Sequence, residues 1–359
     1  MKLYKIKNII LLVGLLFVTL EARESVASDA PEAIRWSIPA KELPLPLTAS
    51  KEVLEVLSNL MPPNIERAKR FTSKSKDEWR DWIEYSKASG EAGSKAFAKR
   101  YNVSIKQERM AGVNLYRVTP ATISAENKNK IFIYLHGGAY VFGGGMSALT
   151  EAVLIAQRVQ IPVIAIDYRM PPDNPYPAGL NDVVEVYKAL SQKHSPSRIA
   201  MGGSSSGGGL VLAVVHKLKA LKLELPAALF VGTPWADLGK HGDSLYVNEG
   251  IDRKIVTYDG FLPEAVKLYA NGHDLKDPGL SPIYGDFTGF PPTMLVTGTR
   301  DLFLSLAVRV HRKMRASGVR ADLNVYEGLS HVEYFVIPHS AESKEVYREL
   351  GIFLKHYFR

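Results

Sequence analysis

"RIAMGGSSSGGGLVLAVVHKL", residues 198–218, decides how the whole chain is read. Its middle, Gly202 to Gly209, is made only of glycine and serine, a composition that by itself means a flexible linker. The flanks exclude that reading. "RIAM" closes a short apolar strand, and "LVLAVVHKLKAL" runs on with no helix breaker. A strand is joined to a helix with no slack, so the glycines serve geometry. The pattern G-x-S-x-G fits in one register, because only Ser205 has glycine two residues away on both sides, at Gly203 and Gly207. A serine on such a strand-to-helix turn is a nucleophile candidate. Strand and helix pass close there, and flanking side chains would clash. The hydroxyl also stands at a helix N-terminus, where free N–H groups and the dipole favour developing negative charge.

Working outward, apolar runs of strand length recur at 131–135, 162–168, 198–201, 227–234, 293–298 and 321–328. Segments of helical periodicity lie between them, near 148–159, 178–193, 206–221, 303–317 and 340–357. Two further strands are expected on either side of Ala111-Gly112. The alternation predicts an α/β architecture, a mostly parallel central sheet with helices on both faces. Residues 28–100 read as polar and helical, with a Ser75-x-x-Glu78 capping box, and form a helical cap segment ahead of a catalytic domain at 101–359. Residues 235–292 contain no clear core strand and read as an inserted lid.

Ligands of such sheets bind beyond the carboxyl ends of the strands, so the loops there carry the search. A serine needs a base, and the base an orienting acid, in the chain order serine, acid, histidine. His331 in "EGLSHVEY" follows the last core strand, and Asp301 in "TMLVTGTRDLFL" follows the one before it. Asp301 also suits the N-terminus of the next helix. His216 lies in the helix after Ser205 and cannot reach back; His136 comes too early for a base and reads as structural. "IFIYLHGGAYVFGGG", residues 131–145, adds a glycine-rich loop able to turn backbone N–H groups toward an oxyanion, with the N–H of Ser206 as a further donor.

"HGGAY", "DYRMPPDNPYPA", "GGSSSGG", "TPWADL", "GTRDLF" and "LSH" together resemble the hormone-sensitive-lipase-like branch of the α/β-hydrolases, from about residue 100 to the C-terminus. The resemblance implies Ser205 as nucleophile, Asp301 as acid, His331 as base, and Gly138, Ala139 and Ser206 as oxyanion donors. It implies cleavage of short or medium acyl esters, or of lactones, through an acyl-enzyme, with N-terminal helices over the acyl pocket. Three positions depart from the family pattern: Ser204 stands where Asp is usual, Ala139 where Gly is frequent, and Asp173 where Glu is usual.

Composition sets the remaining bounds. Hydrophobic residues make up 46% and charged residues 23% of 359, which is globular. The net charge of +8 comes from scattered basic residues and no nucleic-acid module is present, so no nucleic-acid partner is expected. The absence of cysteine excludes disulfides, thiolate catalysis and cysteine zinc sites. No G-x-G-x-x-G opens a helix and no phosphate-loop motif occurs, which argues against a dinucleotide oxidoreductase. No cofactor and no metal are expected. Residues 1–27 combine basic, apolar and small-residue stretches as a cleaved export signal does, with too short an apolar run to span a bilayer. A periplasmic or secreted protein follows, with no stable membrane span after processing. A homodimer stays open. The alternative function is a non-catalytic small-molecule binding protein on the same fold, and the presence of His331 weighs against it.

Overall fold

The computed structural model describes residues 40, 42–70 and 74–358. The expected export signal lies outside them. Residues 44–359 cluster as one compact unit.

Eight strands form one sheet: β1 (Val103–Met110), β2 (Val113–Pro120), β3 (Ile131–Leu135), β4 (Val163–Asp167), β5 (Ile199–Ser204), β6 (Ala228–Gly232), β7 (Thr293–Gly298) and β8 (Ala321–Tyr326). Their order is β1-β2-β4-β3-β5-β6-β7-β8. β2 runs antiparallel to β1 and β4, and every other neighbouring pair is parallel. Ala111 and Gly112 form the β1–β2 turn, both at positive φ. The helices are α1 (Lys51–Ser58), α2 (Ile65–Lys69), α3 (Lys76–Arg100), α4 (Thr150–Val159), α5 (Ala178–Ser191), α6 (Ser206–Ala220), α7 (Ser244–Val247), α8 (Phe261–Ala270), α9 (Leu304–Ala316), α10 (Glu333–Val336) and α11 (Ala341–Tyr357).

β3 shows why the chain takes this form. All five of its residues are buried. Ile131, Ile133 and Leu135 pack into the core that holds α5, α6, α8 and α9. Phe132 and Tyr134 face the opposite core, built with α4 and α11. A strand with two buried faces must be apolar throughout, and helices must cover both sides. α3 starts at the expected capping box, with Ser75 and Glu78 each accepting from the other's backbone. It runs on through Gly90, where the chain needs room: a Cβ there would lie 2.7 Å from that of Ser147. Between β6 and β7 the chain forms α7, α8 and loops but no strand, the interval that reads as an insert. Among the described residues no helix is long and apolar enough to cross a membrane.

Candidate active site

Ser205 is the single residue between the end of β5 and the start of α6. Its backbone lies at φ 61° and ψ −128°, a region rare for a residue with a side chain. The main chain around it is fully paired: its N–H donates to Gly232 O at 2.9 Å, and its carbonyl accepts from Gly209 N at 3.1 Å and Trp235 N at 3.0 Å. The flanking glycines are required by contact. A Cβ on Gly203 would lie 2.2 Å from Leu135 O, and one on Gly207 2.1 Å from the same oxygen. Two glycines and one carbonyl thus hold the turn against the end of β3.

The loop after β3 lies beside this turn. A Cβ built on Gly137 would come within 2.9 Å of Ser204 O and 3.2 Å of the Ser205 Cβ. Gly138 and Ala139 follow at φ 117° and 55°. The Gly138 carbonyl accepts from Val141 N and Phe142 N at 3.0 and 2.8 Å, while the N–H groups of Gly138 and Ala139 have no protein acceptor among the described residues. Ser206 is the first residue of α6, where an N–H precedes any intrahelical acceptor.

His331 follows β8 and is 3% exposed. Its Nδ1 lies 3.0 Å from Asp301 Oδ1. Asp301 is fully buried. Its Oδ2 accepts from Thr297 Oγ1 at 2.8 Å and its Oδ1 from Phe303 N at 2.8 Å. The carboxylate holds the imidazole and closes a turn onto Phe303 N, but α9 begins at Leu304 with Phe303 as its N-cap and no side-chain cap bond, so Asp301 is not the helix cap that its position before Leu302 suggested. The other ring nitrogen, Nε2, is buried with no hydrogen-bond partner. Ser205, Gly138, Ala139 and His331 line one cavity of about 1210 Å³, with Trp235 and Phe303 among its walls. Asp301 reaches that cavity only through the ring it holds.

The two histidines set aside on sequence grounds lie elsewhere. His216 hydrogen-bonds Pro282 O at 3.0 Å, and burial pushes its pKa down to about 4. It lines a separate cavity. His136 is buried and stacked on Tyr168 at 4.2 Å, with burial lowering its pKa.

Sequence reasoning missed a second set of residues. Asp252, in the loop between α7 and α8, is fully buried next to Asp301 and His331. Its Oδ1 accepts from Lys254 N and Ile255 N at 2.7 and 3.0 Å; its Oδ2 accepts from Leu302 N at 2.7 Å and His331 N at 3.2 Å. Burial, then the charge of Asp301, pushes its pKa up to about 6, against the pull of His331 and the backbone donors. Arg253 pairs with Glu333 through Nε–Oε1 at 2.9 Å and a second contact, and its Nη2 reaches Gly328 O at 3.0 Å. Glu151 and Tyr334 complete the set, both 1% exposed and joined through Ser204. The only sequence signal for Asp252 was an acid two residues before Lys254, the spacing of a side-chain turn. Glu151 sits in a first helical turn, where an acid reads as an ordinary surface partner of the dipole.

Above the cavity, Trp79 and Trp82 of α3, Phe142 and Phe261 of α8 form one aromatic cluster, with centroids 4.8 to 6.2 Å apart. Asp173 meets α3, accepting from Arg80 Nη2 at 2.7 Å. Among the described residues, no group of three or more His, Asp or Glu side chains is arranged to hold a metal ion.

Residues 132–335 match the family model described as the alpha/beta hydrolase fold. The chain belongs to the α/β-hydrolase family. The crystal structure of an esterase, E25, superposes with a TM-score of 0.88 at 44% identity, covering 90% of this chain and 99% of that one. An esterase of the bacterial hormone-sensitive lipase family superposes at 0.72 and 28% identity, covering 86% and 99%. An acetyl-hydrolase of Streptomyces hygroscopicus is 29% identical over 64% of this chain and 77% of its own. An esterase of Acinetobacter venetianus is 30% identical over 65% and 76%. This α/β-hydrolase is an ester-hydrolysing enzyme of the hormone-sensitive-lipase-like branch.

Proposed function

We propose that this α/β-hydrolase cleaves carboxylic esters by a serine mechanism. Ser205 Oγ attacks the ester carbonyl. His331 Nε2 takes the serine proton and later delivers it to the leaving alcohol. Asp301 fixes the Nδ1–H tautomer of the imidazole and stabilises the imidazolium that forms. The N–H groups of Gly138, Ala139 and Ser206 receive the oxyanion, and water then releases the acid from the acyl-enzyme. One observation carries the reading: a buried imidazole tied to a buried carboxylate at 3.0 Å keeps its other nitrogen unpaired, on the cavity that also receives a serine held at φ 61°.

The substrate is a short or medium acyl ester. The cavity's aromatic walls favour an apolar acyl chain, and the acetyl-hydrolase relative cleaves a short one by its name. The aromatic cluster from α3, Phe142 and α8 supports a cap over the acyl end. Lactones present the same carbonyl in a ring, and a lactone panel beside a chain-length series of p-nitrophenyl esters separates the two classes. Ser205→Ala should abolish p-nitrophenyl acetate turnover while leaving the melting temperature near that of the parent; retained turnover rejects the assignment. The basic and apolar stretch at 1–27 supports export, which immunoblotting of cell fractions tests.

A further inference from the structure

Glu151 occupies the first turn of α4, yet it is 1% exposed and lines the same cavity as Ser205. Its carboxyl group has taken hydroxyl partners in place of water. Oε1 accepts from Ser204 Oγ at 2.7 Å, and Oε2 accepts from the Tyr134 hydroxyl at 3.2 Å. The Ser204 hydroxyl also bonds the Tyr334 hydroxyl. A serine has one proton. Since it goes to the carboxylate, the serine oxygen accepts, and Tyr334 donates. The result is a directed chain from Tyr334 through Ser204 to Glu151, with Tyr134 closing the other oxygen.

The ends of this chain matter. Ser204 is the residue immediately before Ser205, on the last position of β5. Tyr334 lies in α10, three residues beyond His331. The two segments lie 130 residues apart in the sequence, and no other side-chain hydrogen bond links β5 to α10 among the described residues. We propose that Glu151 is a positioning residue for ester hydrolysis: through Ser204 and Tyr334 it ties the turn that carries Ser205 to the helix that follows His331, and so fixes nucleophile against base. This rests on the reading of Ser205 and His331 given above. It also accounts for Ser204, whose hydroxyl can bridge a carboxylate and a phenol where a carboxylate at the same position would meet Glu151 as a like charge.

The carboxylate form is the one that accepts at both oxygens. Burial pushes the Glu151 pKa up to about 7, against the hydroxyls of Ser204, Tyr134, Tyr334 and Tyr347, which favour the anion. The titratable groups around it are Tyr134 of β3, Tyr334 of α10 and Tyr347 of α11, all driven far up by burial. Arg158, also of α4, packs on the Tyr347 ring at 5.5 Å. As pH falls through about 7, the chain therefore loses its acceptor.

The test uses the full chain and p-nitrophenyl acetate. Glu151→Gln keeps the volume and puts an amide donor against a hydroxyl donor. It should lower kcat about tenfold or more with KM within about threefold, the pattern of a lost transition-state arrangement. The acid limb of log kcat/KM should become shallower than the parent's, because the ionisation of Glu151 near pH 7 no longer contributes to it. A smaller fall in kcat, or a limb as steep as the parent's, overturns the proposal. Should Glu151→Gln not fold, Ser204→Ala and Tyr334→Phe each remove one hydroxyl of the chain. Each should lower kcat several-fold, and the double variant should be no worse than the poorer single one. Effects that multiply, or singles with parental kcat, overturn the proposal. Fluorophosphonate labelling separates the two layers of inference. A parent that does not label at Ser205 removes the hydrolase reading, whereas a labelled parent with a parent-like Glu151→Gln removes only the role of Glu151.

Discussion

The turn that carries Ser205 and the loop that carries His331 open onto one cavity, but different interactions hold them. The turn is held locally, by its own backbone hydrogen bonds and by the close approach of Gly203 and Gly207 to Leu135 O. The loop is held from a distance: Asp252 and Arg253, between α7 and α8 and nearly eighty residues upstream, bind His331 N, Leu302 N, Gly328 O and Glu333. Close backbone packing shapes the turn at Ser205, and buried charge steadies the loop at His331.

The comparison breaks first at the carboxylates beside His331. Asp301 bonds the ring and Asp252 only the backbone. Asp301→Asn should lower kcat by about 10⁴, because the amide no longer fixes the working tautomer. Asp252→Asn, which leaves two of four backbone donors poorly satisfied, should cost at most about 10²-fold. Steady-state kinetics on p-nitrophenyl acetate checks both; equal losses would mean that contact with the ring does not decide the effect. Stability should divide the same two regions. Arg253→Ala strands the buried Glu333 carboxylate and should cost about 3–5 kcal/mol in urea unfolding. Gly207→Ala pushes a methyl against a carbonyl and should cost about 1–3 kcal/mol, with a parallel loss of activity. A Gly207→Ala variant of parental stability would show that the turn has more slack than its 2.1 Å contact implies.

What could be read from residues alone follows the same division. β3 and β7 lie where apolar runs bounded by glycine and polar residues put them, because a doubly buried strand has almost no choice of residue. The turn at Ser205 was legible because its requirement, no side chain at two positions, is written in the sequence as glycine. The chain order of serine, acid and histidine then pointed to Asp301 and His331. Glu151, Asp252 and Arg253 were hidden for one physical reason. A charged residue in a first helical turn or a loop reads as solvated, and only the tertiary fold removes the water. Ser204 was visible as a departure from the family pattern, but its meaning needed Glu151, fifty-three positions away.

The smallest expected effect is a change of slope rather than a loss, and it tests whether these hidden acids are buried as described. Glu151 is raised from 4.5 to about 7, and Asp252 from 3.8 to about 6. Between the unfolded and folded values of each group the native state binds more protons than the unfolded chain. Stability therefore falls as pH rises through that interval, and below it the penalty is absent. Each pKa unit corresponds to roughly 1.4 kcal/mol, so the decline is gradual. Asp252→Asn should remove the part of the decline that ends near pH 6, and Glu151→Gln the part that continues to about pH 7. Urea midpoints at closely spaced pH values would resolve the two intervals. An Asp252→Asn curve parallel to the parent's across the whole range would mean that water reaches this carboxylate, and that the His331 loop is held less tightly than the turn at Ser205.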